Sequence, residues 1–408
     1  MKEIILINVS GADRPGLTFA ITEALAKHNV YILDISQSVI HNKLSLDMLI
    51  EVPKKSASSP ILKDLLFTSH QLGLTAKFSP IDESHYGKWV GEEGKPRNIV
   101  TLLARKIDAG QITTVSRIIT SHNLNIDNIT RISGRLPLTG KSRSTNACVE
   151  FSARGEPADR DRMGSDFLAA AGKLGVDIAF QEDNIFRCNR RLIVFDMDST
   201  LIQAEVIDEL AKANRTADRV SHITDRAMRG ELDFAESLRL RVKLLRGLKE
   251  SALAEVARKL PLTEGAEQLI ATLKHLGFST AILSGGFRYF GERLKERLGI
   301  DYVFANRLDI EDGIVTGEVR GEIVDGPKKA ELLQEIANKE NITLEQVIAV
   351  GDGANDLPML NRAGLGIAFQ AKPIVRRSTR QAISEMGLDG ILYLIGYRDR
   401  YAIQSGRN

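Results

Sequence analysis

Asp196-Met197-Asp198-Ser199-Thr200 closes an apolar run at 192–195, and two carboxylates at i and i+2 of an extended chain point to the same side. Close like charges raise one another's proton affinity, so such a pair asks for a cation or for one group to keep its proton. Both conditions suit phosphoryl transfer. An ionised Asp196 can attack phosphorus, while a protonated Asp198 can give its proton to the leaving alkoxide and then activate water. Taken alone, a D-x-D is as well explained by a solvated acidic loop. Val350-Gly351-Asp352-Gly353-Ala354-Asn355-Asp356 repeats the design after a second apolar strand. The hard oxygens of Asp352 suit magnesium (Mg2+), which takes one or two protein carboxylates and completes its shell with water and substrate phosphate. Calcium is the competing ion, but the further spaced ligands and terminal Glu of a calcium loop are missing.

Two further segments can serve the same chemistry. Ser284-Gly285-Gly286-Phe287, after the apolar run 280–283, offers a hydroxyl and free backbone N–H groups to a phosphate oxygen, although Ser-Gly-Gly is first of all a turn. Lys328 and Lys329 open a helix predicted through about Ala337, and one of them can neutralise charge on a transferred phosphoryl group. The plain alternative is a solvated helix end.

These groups need elements to hold them. The runs 192–195, 280–283, 347–350 and 365–369 each end in a polar or Gly-rich turn, which predicts a Rossmann-like doubly wound parallel sheet whose ligands sit at the carboxyl ends of its strands. The insert between the first two runs is too long for one crossover and reads as a helical cap over about 203–262. Upstream the pattern differs. A strand at 3–9, a turn at Ala12-Asp13-Arg14-Pro15-Gly16, a helix at 17–28, strands at 30–40 and 44–52 and a helix near 62–72 make a βαββα unit. Gly16, Ile21, Leu25, His28, Asn29, Ile32 and Ile35 align with Gly110, Val115, Ile119, His122, Asn123, Ile126 and Ile129, so the unit is read as duplicated. The Gly/Pro and charge content of 82–97 predicts an exposed linker, and a loop at 134–144 interrupts the second copy. The predicted boundaries are therefore 1–82, a linker at 83–97, 98–184 and 185–408.

Composition narrows the partners. The length of 408 residues exceeds one core, and 43 % apolar with 26 % charged residues fits a globular chain. With 55 basic against 53 acidic residues spread along the sequence, nucleic acid is not an expected partner. Cys148 and Cys188 make neither a disulfide framework nor a zinc site and are expected to be small buried hydrophobes in a reducing compartment. No stretch reaches membrane-spanning length and no leader is read at the start, so a cytoplasmic location is expected.

In order, D-x-D-S-T, S-G-G, Lys and G-D-G-A-N-D resemble the haloacid dehalogenase-like phosphohydrolases, from about Arg191 onward. The helical insert makes the match similar to phosphoserine phosphatases in particular, with Glu205, Met228, Phe234 and Arg241 at that family's cap and entrance positions. The resemblance implies Asp196 as nucleophile and Asp198 as general acid and base. It also implies magnesium on Asp196, the Asp198 main-chain carbonyl and Asp352. Ser284, with Gly285, and Lys329 would grip the phosphate; Lys329 is preferred to Lys328 because Lys-x-Glu-x-Leu follows it in register. Asn355 would touch substrate and Asp356 support the loop. Phosphoserine carries an ammonium and a carboxylate, which Glu205 and Arg241 would meet with opposite charge. The implied reaction is hydrolysis of L-phosphoserine, the last step of serine biosynthesis. Other small phosphomonoesters, transfer to an alcohol, and an amino-acid-binding regulator with a vestigial hydrolase stay open beside it.

The duplicated unit resembles ACT domains, α+β ferredoxin-like modules that bind amino acids at shared interfaces, through Asp13-Arg14-Pro15-Gly16-Leu17. Asp108-Ala109-Gly110-Gln111 departs from that motif by lacking the Pro. Serine or another amino acid as effector, and a homodimer or higher homo-oligomer, are what this resemblance implies.

Overall fold

The computed structural model describes residues 3–53, 57–92, 94–135 and 146–401. The chain divides into two compact units, Met1–Lys95 and Pro96–Asn408. The first runs β1 (Glu3–Ala12), α1 (Leu17–Ala26), β2 (Tyr31–Ile40), β3 (Lys43–Val52), α2 (Ser58–Gln71), β4 (Thr75–Ile81) and α3 (Glu83–Glu92). Its antiparallel sheet has the order β2-β3-β1-β4. Alternate residues of β3, Leu44 through Val52, are buried together with Leu17, Ile21 and Leu25 of α1 and Ile61 and Leu65 of α2. A period of two in the strands meets a period of 3.6 in the helices, and one sealed layer results.

The expected linker is mostly the helix α3. Gly87 and Gly91 lower its helix propensity, yet Asp82 caps its start by accepting the Ser84 hydroxyl and the His85 N–H at 2.7 and 2.8 Å. None of its residues is buried, so the exposed character stands while the irregular backbone does not.

The second unit opens with β5 (Arg97–Ala104), α4 (Ala109–Ser121), β6 (Asn125–Arg131), β7 (Ala147–Arg154), α5 (Arg160–Leu174) and β8 (Asp177–Glu182), in the order β6-β7-β5-β8. This is the same topology as the first copy, and the repeated residues have structural reasons. Asn29 and Asn123 take left-handed φ of 51° and 61° just past their helices, a conformation Asn tolerates. His28 pairs with Asp64 at 2.7 Å and His122 with Asp166 at 2.9 Å, each tying one helix to the next. A bulge follows Ile32 in β2 and Ile126 in β6. Gly16 and Gly110 align without matching in role: Gly16 is left-handed at φ 92°, whereas Gly110 lies inside α4 behind a capping box of Asp108 and Gln111. The loop expected at 134–144 lies, beyond Arg135, outside the described residues.

The chain continues through β9 (Leu192–Phe195), the helices α6 (Val206–Ala213), α7 (Ala217–Met228), α8 (Phe234–Lys243) and α9 (Glu250–Lys259), then α10 (Ala266–His275) and β10 (Ser279–Phe287). There follow α11 (Arg288–Leu298), β11 (Tyr302–Glu311), β12 (Ile314–Arg320), α12 (Gly326–Lys339), β13 (Val347–Gly351), α13 (Leu357–Arg362), β14 (Leu365–Phe369), α14 (Pro373–Arg377), β15 (Gln381–Ile383) and α15 (Ile391–Leu394). Seven strands order as β12-β11-β10-β9-β13-β14-β15, parallel except for β12 at the edge. The chain leaves β9 toward β10 and β11 and returns to the other side through β13. The carboxyl end of β9 is therefore the switch point where a crevice opens.

Cys148 is buried, but Cys188 is exposed in the turn before β9, so the second half of the cysteine expectation fails. Among the described residues no helix is long and apolar enough to cross a membrane.

Candidate active site

All four residues of β9 are fully buried, so the strand is a fixed post at the centre of the sheet, and Asp196 is the first residue beyond it. The Asp196 N–H donates to the Val350 carbonyl at 2.8 Å, which stitches the catalytic loop to β13. The extended chain assumed for Asp196 and Asp198 ends at Phe195. The Thr200, Leu201 and Ile202 N–H groups all turn back to the Met197 carbonyl. Asp198 instead reaches its place through that turn, accepting the Val206 N–H at 3.4 Å at the start of α6. Ser199, left-handed at φ 56°, donates its hydroxyl to Glu205 at 2.8 Å.

The lysine doublet divides. Lys328 pairs outward with Glu322 and Glu331 at 3.0 and 2.8 Å. Lys329 is 0 % exposed, with its ammonium 2.8 Å from Asp196 and 2.6 Å from Asp356. Burial opposes that charge, but the Asp196 and Asp356 carboxylates outweigh it and hold the amine above its ordinary range. Asp356 uses both oxygens, one on Lys329 and one on the Gly353 N–H at 2.9 Å. Lys329 also meets Asp196 Oδ1 as an ion pair at 2.8 Å.

Negative charge exceeds what one lysine offsets. Burial, then Glu205 and Asp196, push the Asp198 carboxyl well above the carboxylate range. Burial, then Asp196, Asp356 and Glu205, push Asp352 up to about 7, against the Thr200 hydroxyl that donates to it at 3.3 Å. Oxygens of Asp196, Asp352 and Asp356 lie within 4.8 Å of one another.

A cavity of about 520 Å³ opens over these groups. Ser284 is buried in its wall, and its hydroxyl accepts the Gly286 N–H at 2.9 Å. The glycines beside it are steric requirements. A Cβ on Gly285 would sit 2.6 Å from the Phe234 ring, and one on Gly286 would sit 2.6 Å from Asp198 Oδ2. Glu205 and Arg241 both line the cavity. Glu205 stands at the N-cap of α6 without a capping bond there, its carboxylate accepting the Ser199 hydroxyl instead. Arg241, half-buried on α8, is pulled down by burial and held up by Glu205, Asp208 and Asp198. Met228, Phe234 and Asn355 complete the expected lining.

The cavity thus gathers Asp196, Asp198, Glu205, Met228, Phe234, Arg241, Ser284, Gly285, Asp352 and Asn355, with Lys329 and Asp356 packed behind it. Sequence reading missed Lys372 and Ile374, which also line the cavity. Met228 at 64 % and Ile374 at 69 % exposure are exposed apolar residues of its lining. Lys372 follows β14, and the rule that ligands sit at strand carboxyl ends would have found it.

Residues 193–361 match the haloacid dehalogenase-like hydrolase family, and 3–79 and 97–181 each match an ACT domain. A HAD family hydrolase from Salmonella enterica serovar Typhi superposes with a TM-score of 0.64 at 30 % identity, covering 73 % of this chain and 98 % of that one. A probable phosphoserine phosphatase from Vibrio cholerae, in unliganded form, superposes at 0.59 and 34 %, covering 74 % and 87 %. In sequence, the chain is 40 % identical over 396 residues to a phosphoserine phosphatase of Mycobacterium tuberculosis, which spans 97 % of this chain and 93 % of the relative. It is 39 % identical over 395 residues to that of Streptomyces coelicolor, spanning 96 % and 92 %. The chain belongs to the phosphoserine phosphatase family.

Proposed function

We propose that this chain hydrolyses L-phosphoserine to L-serine and phosphate through an aspartyl-phosphate on Asp196, the closing step of serine biosynthesis. The observation that carries the reading is the contrast between two carboxyls two residues apart. Asp196 lies 2.8 Å from the fully buried Lys329 ammonium, while burial, then Glu205 and Asp196, push the Asp198 carboxyl well above the carboxylate range.

Asp196 attacks phosphorus, the bond to the serine oxygen breaks, and Asp198 gives that oxygen its proton. Asp198, now a carboxylate, takes a proton from water; the resulting hydroxide attacks the acyl phosphate and restores Asp196. Lys329 and Ser284 offset charge on the phosphoryl oxygens, and Asn355 contacts the substrate. Asp356 holds Lys329 and the 351–356 loop in place.

Carboxylate oxygens of Asp196, Asp352 and Asp356 within 4.8 Å of one another, with burial and neighbouring carboxylates raising Asp352, fit a hard divalent cation better than an empty acidic cluster. Asp196, Asp352 and the Asp198 main-chain carbonyl would hold magnesium there. Bound magnesium would supply countercharge to the phosphoryl oxygens.

Glu205 and Arg241 meet the ammonium and carboxylate of the substrate, with Met228 and Phe234 over its carbon chain. Arg241→Ala should cut kcat/KM for phosphoserine by about a hundredfold, the worth of a charged hydrogen-bonded pair, and spare an aryl phosphate. Equal loss on both substrates would remove Arg241 from carboxylate recognition. The ACT pair supplies sites for a serine-like effector, and the exposed edge strands β2 and β6 support homodimer or higher assembly.

A further inference from the structure

A second cavity, of about 510 Å³, lies between the second ACT-like domain and the back of the hydrolase sheet, and it shares no lining residue with the catalytic pocket. Leu365, at the amino end of β14, stands in its wall, so it opens away from the catalytic edge of that strand.

Its wall contains a buried cation without an anion. Arg190 is 7 % exposed and donates one guanidinium N–H to the neutral Glu345 carbonyl at 2.8 Å. Its Nε is buried without a partner, and among the described residues no carboxylate pairs with it. Burial, with Arg187 adding to it, draws its pKa down to about 10. A buried charge left uncompensated is costly, and a bound anion would relieve that cost.

Two more guanidinium groups face the same space. Arg160 donates to Asn98 at 3.0 Å and stacks 4.9 Å over the Phe180 ring, and Arg380 is exposed. Gln181, also buried in the wall, bonds the Leu394 carbonyl through its amide N–H and leaves its own oxygen unpartnered. Glu182 is the carboxylate on the wall, exposed at its rim.

We propose that this cavity binds a small phosphate-bearing anion, whose oxygens take the N–H groups of Arg160, Arg190 and Arg380. Planar guanidinium forks suit tetrahedral oxyanions, and three of them suit a dianion better than a single carboxylate. Gln181 and Glu182 then accept a hydroxyl or ammonium on the same molecule. Free phosphate and a phosphorylated amino acid share this chemistry, and both are available to a phosphatase. Occupancy would also reach the active site, because the chain between Lys372 and Gln381 lines the catalytic pocket at one end and this cavity at the other.

The test is equilibrium dialysis of the full chain against inorganic phosphate, with magnesium chelated. Ser284→Ala should remove the catalytic-pocket component and keep the second one within about threefold in Kd. Arg380→Glu should weaken the second component at least tenfold, about the worth of one charge-assisted bond, with a melting temperature within a few degrees of the parent. Phosphoserine displacing the bound phosphate where serine does not would identify a phosphorylated amino acid as ligand; displacement by neither would identify free phosphate. A single component lost in Ser284→Ala and unchanged in Arg380→Glu overturns the proposal, as does phosphate binding that serine alone displaces.

Discussion

The two ACT domains share topology, bulge position and the His–Asp tie between helices, but their fourth strands have opposite surroundings. β4 (Thr75–Ile81) is exposed or half-buried along its length, while β8 (Asp177–Glu182) is buried except at Glu182. The cause is the hydrolase. Gln381 of β15 accepts the Phe180 N–H at 2.9 Å and donates to the Phe180 carbonyl, and the Asp177 carboxylate accepts the N–H groups of Ser384, Glu385 and Met386. Leu103, Ile132, Cys148 and Ala179 join the same buried cluster as Ile383, Met386 and Ile391. A boundary drawn at 184 therefore cuts through a common core. One module repeated twice forms a compact unit of its own in the first copy and a wall of the enzyme in the second.

Deletions should separate the two copies most sharply. Removing residues 1–184 uncovers that common core and should lower the melting temperature of the hydrolase by about 10 °C or more, or leave it insoluble. Removing 1–95 should shift it by no more than about 2 °C, since 96–408 is compact by itself. Equal effects would erase the contrast between the copies. Asp177→Ala should cost about 4 kcal/mol in denaturant titration, because three backbone N–H groups lose their acceptor, whereas trimming β4 side chains should cost little.

A smaller effect follows from pH. Burial pushes the Asp177 carboxyl up to about 6, beyond the pull of its three N–H partners. With a folded value above the unfolded 3.8, the unfolded chain sheds this proton first, so stability falls as pH rises from about 4 to 6. The fall amounts to about 3 kcal/mol and should be missing from Asp177→Asn. A parallel slope in both proteins would show that another group is titrating. Smallest is the helix tie. His122, with 9 % of its side chain exposed against 22 % for His28, should cost about 1 kcal/mol on change to Ala, and His28 about half that, by thermal melts.

The same contrast explains what could be read from the sequence. β9, β10, β13 and β14 were legible because buried parallel strands are unbroken apolar runs closed by polar turns. β11 carries Asn306, Arg307 and Asp309 and pairs with the antiparallel edge strand β12, so its pattern has no such signature. β15 is three residues long and is placed by its ladder to β14 and by the Gln381 bonds to Phe180 of β8, partners of which β8 lies far outside any local window. At the site, residue types announced the chemistry of Asp196, Asp198 and Asp352, while the turn that aims Asp198 and the inward turn of Lys329 are products of packing. Lys372 and Ile374 come from a segment without a motif, and only the sheet's geometry places them in the cavity lining.

The most direct test is phosphate release from L-phosphoserine by the full chain with and without magnesium, beside phosphothreonine, an aryl phosphate and the Asp196→Asn variant. The account predicts magnesium-dependent turnover that favours phosphoserine and falls by at least about ten-thousandfold in the variant, whose amide cannot attack phosphorus. Full turnover by Asp196→Asn, or no release from any substrate by the parent chain, would contradict it.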